Sequence, residues 1–213
     1  MNTGSKFAFV DYMNAGGPIM WIILALSVLA LAVAFERIIF FAVSSANRRG
    51  MEGKFGSAIS GGDMEAARLA IRGSGSMHRL FADALDNWEM DGEGMKAALE
   101  SRKRSELFLW DKRLPLLETI AKISPLLGLL GTVLGMVEMF GSLHGGGSVN
   151  AEAVTGGIWK ALFTTVAGLA VAIPVILIHS MLTARIYKEE EELERGGDFI
   201  LREHSARKRG EAA

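Results

Sequence analysis

Apolar residues concentrate in three long runs, 18–43, 113–140 and 158–182, which polar segments separate. Each run exceeds the ~20 residues that an α-helix needs to cross the hydrocarbon core of a bilayer. Between positions 18 and 35 the first run contains one hydroxyl, Ser27, and no charge. A helix in a soluble bundle would show a polar face at every turn. The pattern therefore predicts an all-α integral membrane protein with three transmembrane helices.

The distribution of Lys and Arg predicts how the chain crosses the membrane. These residues cluster in 44–112 and after position 182, whereas 141–157 contains neither and the N-terminal segment has only Lys6. Because cytoplasmic loops carry the excess of positive charge, the N-terminus is predicted outside and the C-terminus inside. We expect a periplasmic tail (1–17), an uncleaved first span (18–43), a cytoplasmic helical domain (44–112), a second span (113–140), a periplasmic loop (141–157), a third span (158–182) and a cytoplasmic C-terminal helix and tail (183–213).

The cytoplasmic segments have a helical periodicity that glycines interrupt. Asp63 is predicted to be the N-cap of a helix, and Gly73 is predicted to end that helix. The next helix places five apolar residues on one face: Leu80, Phe81, Ala84, Leu85 and Trp88.

The second and third spans are both expected to extend as long helices into this domain. Asp91 is predicted to cap a helix that continues without a break into the second span, although Pro115 could kink it. The third span is predicted to continue as a helix to Gly196 and Gly197, and roughly the last ten residues have a composition typical of disorder.

No residue pattern indicates an enzyme. The chain has no cysteine, which excludes disulfides, metal–thiolate sites and a thiol nucleophile. It contains no phosphate-binding loop, catalytic triad or cluster of metal ligands. We therefore predict a protein without a cofactor or metal, whose partners include membrane lipid but no nucleic acid.

Small residues form one stripe along each of the second and third spans. Gly in a helix interior costs about 1 kcal/mol relative to Ala, so these positions need a reason. In lipid, such stripes allow helix backbones to approach closely, and we interpret them as helix-packing positions. They are Ser124, Gly128, Gly131 and Gly135 in the second span, and Gly157, Ala161, Gly168, Ala172 and Pro174 in the third.

Threonines lie on the same stripes, and two interpretations of them stay open. Thr132 and Thr165 are at comparable depth, and Thr164 precedes Thr165. Their hydroxyls could bond to carbonyls of their own helices, or they could form a polar lining that faces an ion path or a partner helix. Proton relays use intramembrane Asp, Glu or His, and none lies near the middle of these spans. If ions cross here, the titrating group should come from another chain.

The stretches "GGPIMWIILALSVLALAVAFER", "PLLETIAKISPLLGLLGTVLGMVEMF" and "GGIWKALFTTVAGLAVAIP" closely resemble the MotA/TolQ/ExbB proton-channel family, in particular its ExbB/TolQ branch. The motifs GLLGTV and TTxxGLxxAIP are specific when they occur together. The resemblance covers the three spans, their order and the long second helix.

The resemblance implies a pentameric ring in the bacterial inner membrane, with the second and third spans as its inner wall. Two copies of a single-span partner of ExbD or TolR type would lie inside and carry the aspartate that takes up protons. Proton flow would then drive outer-membrane transport or an envelope process. Thr132 and Thr165 match the two pore threonines of the family. The alternative is a passive membrane scaffold ring without ion conduction.

Three charged residues are candidates for the mouths of such a pore. Lys160 stands where many family members have a glutamate, and it could pair with Glu138, with Glu152 or with acidic residues of a partner. Lys122 lies near the inner end of the second span, where it could be a snorkelling side chain or an inner-mouth charge.

Overall fold

The structure, a computed structural model, describes residues 13, 16–44, 50–143 and 151–211. Within these residues the regular secondary structure is entirely α-helical, which confirms the predicted fold class. The helices are α1 (Pro18–Ser44), α2 (Met51–Ser60), α3 (Met64–Ala70), α4 (Ser76–Asp86), α5 (Gly92–Asp111), α6 (Leu114–Leu143) and α7 (Ala151–Glu211).

Three helical segments are long and apolar enough to cross a membrane, as the sequence predicts. They are Pro18–Ser44, Gly92–Gly141 (which comprises α5 and most of α6) and Val154–Arg209. The chain is therefore a multi-pass membrane protein. The direction in which each span crosses the bilayer stays a prediction.

Internal contacts divide the chain into two units. The first consists of Met1–Glu36 and Arg113–Met181, and the second of Arg37–Lys112 and Leu182–Ala213. The first unit therefore contains α6 and most of α1, whereas the second contains α2 to α5. The residues of α7 are divided between them.

The second unit has a core of large apolar side chains. The predicted face of α4 is buried, with Leu80, Phe81 and Ala84 at 0% exposure. Phe55 of α2 packs edge-on against Phe81, with ring centroids 4.9 Å apart. Ile200 of α7 is also fully buried in this cluster. The periodicity of α4 therefore identified a real core face.

Both predicted helix caps are present. The carboxylate of Asp63 accepts a hydrogen bond from the amide of Ala66 (2.9 Å), and that of Asp91 accepts one from Gly94 (2.8 Å). Each bond satisfies an amide that the first turn of a helix leaves without a partner.

The prediction of one unbroken helix into the second span is wrong. Helix α5 ends at Asp111 and α6 begins at Leu114, while Arg113 between them adopts a left-handed φ of 72°. Pro115 is the physical reason. Its ring has no N–H to bond to the carbonyl of Asp111 and would clash with that carbonyl in a continuous helix.

The prediction that the last helix stops at Gly196 and Gly197 is also wrong, because α7 continues to Glu211. A Cβ atom at Gly196 would lie 2.5 Å from Sδ of Met77. The glycine thus permits close packing inside the second unit, and this packing outweighs its low helix propensity. Beyond it, Ile200 and His204 are buried, and Nε2 of His204 lies 3.1 Å from the carbonyl oxygen of Trp88.

Charged side chains are also buried in the second unit, which the sequence did not reveal. Glu106 is 1% exposed; it accepts hydrogen bonds from Arg79 (2.8 and 2.5 Å) and pairs with Arg102 at 3.0 Å. The hydrogen bond with Glu106 raises the pKa of Arg79. A raised folded-state pKa stabilises the fold at every pH below the ordinary pKa of an arginine, so this contribution is constant across the pH range of ordinary experiments.

Candidate ion-pathway site on helices α6 and α7

Helices α6 and α7 of the first unit pack in an antiparallel register through their small residues. Gly135 lies against Gly157 and Ala161, Gly131 lies against Thr164, and at the other end of the contact Gly168 lies against Ser124. Later residues of α6 therefore contact earlier residues of α7, as in any antiparallel helix pair.

Side chains larger than hydrogen do not fit at several of these contacts. A Cβ atom at Gly168 would lie 2.5 Å from the carbonyl oxygen of Ser124, and one at Gly131 would lie 2.6 Å from Cβ of Thr164. At Gly128 the closest atoms would be the carbonyl oxygen of Thr164 and Cα of Thr165, both at 3.0 Å. Because backbone atoms cannot move aside cheaply, these glycines set the separation of the two helices.

The other predicted packing residues differ in burial. Ser124, Ala161 and Ala172 are 0%, 6% and 1% exposed, and the Ser124 hydroxyl donates to the carbonyl of Ile120 at 2.8 Å. Pro174 is exposed and lies inside α7.

The three threonine hydroxyls have different partners. Thr165 donates across the helix pair to the carbonyl oxygen of Gly128 at 3.2 Å. Thr164 is fully buried and donates within α7 to Ala161 at 2.9 Å, with the Gly128 carbonyl oxygen 3.5 Å away. Thr132 donates to its own helix, to the carbonyl of Leu129 at 2.6 Å. Thr132 therefore bonds within its own helix, whereas Thr165 bonds to the neighbouring helix of the same chain.

The candidate mouth charges form two separate ion pairs. Nζ of Lys160 lies 2.6 Å from a carboxylate oxygen of Glu138, and this pair joins α7 to α6. Glu152 has no described side chain. Lys122 pairs with Glu118, one turn earlier on α6, also at 2.6 Å. Sequence reasoning missed this second pair, although the i, i+4 spacing of a Glu before a Lys is a known stabilising pattern.

No titratable residue occurs in α6 between Lys122 and Glu138 or in α7 between Lys160 and His179. At 1.5 Å per residue, the gap along α6 is about 24 Å long. No titratable side chain of α6 or α7 can therefore take part in a proton relay within these gaps, because such relays use intramembrane Asp, Glu or His. The described residues also contain no group of three or more His, Asp or Glu that could hold a metal ion.

Together these features define a class of protein. The chain is a multi-pass helical membrane protein in which two closely packed spans present hydroxyls, and charges are confined to their ends. Residues 73–195 match the model of the MotA/TolQ/ExbB proton channel family. The chain belongs to this family, which is a family of non-enzymatic transport proteins.

Individual relatives place the chain near the ExbB and TolQ proteins. It is 37% identical to the biopolymer transport protein ExbB-like 3 of Synechocystis over 166 residues, which cover 76% of this chain and 79% of the relative. It is 30% identical to an ExbB homologue of Methanothermobacter thermautotrophicus, over 87% of this chain and 66% of the relative. The Tol-Pal system protein TolQ of Haemophilus influenzae is 33% identical over 51% of this chain and 46% of its own length.

Proposed function

We propose that this chain is the ring subunit of a proton-motive-force-driven motor in the inner membrane. In this proposal five copies form the ring, with the N-terminus outside and the C-terminus in the cytoplasm, and a single-span partner of ExbD or TolR type lies within it. Proton flow through the complex energises outer-membrane transport or an envelope process.

The long segments without titratable residues in α6 and α7 carry this proposal. A proton channel needs a group that binds and releases protons within the membrane, and this chain has none between Lys122 and Glu138 or between Lys160 and His179. Membership of a proton channel family therefore requires the carrier to come from another chain. An aspartate in the span of an ExbD- or TolR-type partner, which the family resemblance implies, would meet this requirement.

The threonines are proposed to act beside that carboxylate. A hydroxyl can donate to a carboxylate and accept from a water molecule or a protonated acid. The Thr165 hydroxyl donates its hydrogen bond to the Gly128 carbonyl oxygen. The lone pairs of its own oxygen therefore stay able to accept one. Thr132 is only partly buried, so its oxygen is similarly accessible. Thr164 is fully buried and would support the position of Thr165.

The first experiment is to purify the chain from its native membrane in mild detergent and identify its companions by mass spectrometry. We expect a small single-span chain with an aspartate in its span, in smaller molar amount than this chain. The reconstituted complex should conduct protons, and the ring without the partner should not. An intact complex that never conducts protons would instead favour a passive scaffold ring.

Replacement of Thr165 by Val tests the role of the hydroxyl. Thr165→Val keeps the branched shape, so the complex should assemble normally while proton-driven activity falls about tenfold or more, as for the loss of one proton-transfer partner. Thr119→Val is the matched control, because Thr119 is exposed on α6 and bonds within its helix to Pro115. Full activity of Thr165→Val, measured as proton flux in proteoliposomes, would remove Thr165 from the pathway.

A further inference from the structure

A cleft of about 870 Å³ opens in the second unit, beside α2, α3 and the beginning of α4. Its lining combines an apolar wall with basic side chains. Met51, Ala58 and Leu69 contribute to the wall, and Leu69 is 56% exposed although it is a large apolar residue. The proposed proton pathway uses no residue of this cleft.

Two cations line the cleft without a partner among the residues that the structure describes. Lys54 and Arg72 are both exposed, and neither side chain has a hydrogen bond or ion pair within the described part of the chain. Elsewhere in the same unit, Arg68, Arg79 and Arg195 each pair with an acidic residue. The two cations of the cleft are therefore available for an anion.

Little in the cleft neutralises these charges. Among its described lining residues, Asp63 is the only acid, and its carboxylate caps α3 through the amide of Ala66. Ser57 adds a hydroxyl to the lining, and the imidazole of His78 also lines it. The His78 ring is 5% exposed and is held closely by Gly73, where a Cβ atom would lie 2.5 Å from its Cδ2.

We propose that this cleft binds a phosphate group. Arg offers a planar fork that matches phosphate oxygens, Lys offers a point charge, and the hydroxyl of Ser57 adds a directed hydrogen bond. The group could belong to a soluble phosphate or to the headgroup of an anionic phospholipid. The apolar wall beside the basic residues suits the glycerol and first chain carbons of a lipid equally well.

The test compares two double variants of the full-length protein with the wild type. Lys54→Ala/Arg72→Ala removes both cations of the cleft. Lys96→Ala/Arg104→Ala is the matched control, since these residues are exposed in the same unit and do not line the cleft. Inorganic phosphate is titrated into each protein in neutral detergent by calorimetry. In parallel, native mass spectrometry counts the phospholipids retained from nanodiscs of phosphatidylcholine with or without phosphatidylglycerol.

We expect the cleft variant to bind its ligand about tenfold more weakly, as for the loss of at least one charge-assisted hydrogen bond, and the control to resemble the wild type. Phosphate binding that the cleft variant loses identifies a soluble ligand. Selective retention of phosphatidylglycerol that the cleft variant loses, without phosphate binding, identifies a lipid headgroup. Equal binding by all three proteins, or no binding of either probe by the wild type, would overturn the proposal.

Discussion

Each of the two units is packed internally by a different kind of side chain. In the first unit, α6 and α7 meet at glycines, alanines and threonines, and backbone atoms lie close to one another. In the second unit, phenylalanines, leucines, isoleucines, methionines and Trp88 fill the core. The difference follows from the solvent. In water, large apolar side chains stabilise a fold by leaving the solvent, whereas in lipid that gain is absent and helices associate through close packing.

Polar groups follow the same division. The second unit buries Glu106 between two arginines whose side chains are 32% and 31% exposed. In the first unit, the described charges of α6 and α7 lie toward the ends of the apolar stretches. Hydroxyls are the only polar side chains in the long middle segments. A hydroxyl can satisfy itself on a nearby carbonyl. An isolated carboxylate cannot, so it occurs in a membrane span only where its function requires it.

The largest loss of stability is expected when a large side chain is placed between α6 and α7. Gly168→Leu should strongly destabilise the first unit, because its Cβ would lie 2.5 Å from the Ser124 carbonyl oxygen. The expected loss is about 3 kcal/mol, the upper part of the range for overpacked cores. The measurement is the yield of monodisperse protein and its melting temperature in detergent.

Gly156→Leu is the matched control, since Gly156 lies on the same helix and a Cβ atom there would meet nothing within 4 Å. It should leave yield and melting temperature near those of the wild type. Normal assembly of Gly168→Leu would show that the two helices do not need their close approach.

A smaller effect is expected when the buried charge of the second unit is removed. Glu106→Gln weakens the ion pairs with Arg79 and Arg102 but keeps the shape of the side chain. Breaking a fully buried pair costs about 3–5 kcal/mol. Because the arginines are partly exposed and therefore screened, we expect about 2 kcal/mol, measured by thermal unfolding.

The control for this variant is Asp86→Asn, which breaks the ion pair of Asp86 with Arg68, where both side chains are more than half exposed. It should cost less than about 1 kcal/mol, as exposed pairs generally do. Equal losses for the two variants would mean that burial adds nothing to the Glu106 network.

Features with a regular spacing were predictable from the sequence. The three spans are continuous apolar runs, and the core face of α4 repeats with the period of a helix. The caps at Asp63 and Asp91 were predictable because the residue type itself supplies the hydrogen-bond acceptor. The small stripes of α6 and α7 are equally visible in the sequence, but the residue that each glycine contacts is not.

Features that depend on distant partners were not predictable. Glu106 lies in the charged stretch "LESRKRSEL" and has no local sign of burial; its partner Arg79 comes from another helix. Gly196 resembles a helix stop in the sequence, and only its close contact with Met77 explains why a glycine lies inside the helix. The Thr165–Gly128 bond joins residues 37 positions apart. In each case tertiary contacts decide what local propensity leaves open.

The smallest change in stability is expected at Arg113, where the chain leaves the second unit and enters the first. Its φ of 72° is strained for a residue with a side chain, and its guanidinium pairs with Glu36 at 3.1 Å. Arg113→Gly relieves the strain and loses the pair, whereas Arg113→Ala loses the pair and keeps the strain.

We expect Arg113→Gly to be about 1 kcal/mol more stable than Arg113→Ala, because only glycine adopts a left-handed conformation without a steric cost. Glu36→Gln isolates the ion pair, and its loss should be below about 1 kcal/mol because both side chains are partly exposed. If Arg113→Ala melts at the same temperature as Arg113→Gly, the left-handed turn carries no strain, and Pro115 alone separates α5 from α6. If the glycine variant melts higher, the left-handed turn carries a conformational cost at Arg113, and the pair with Glu36 offsets at most part of it.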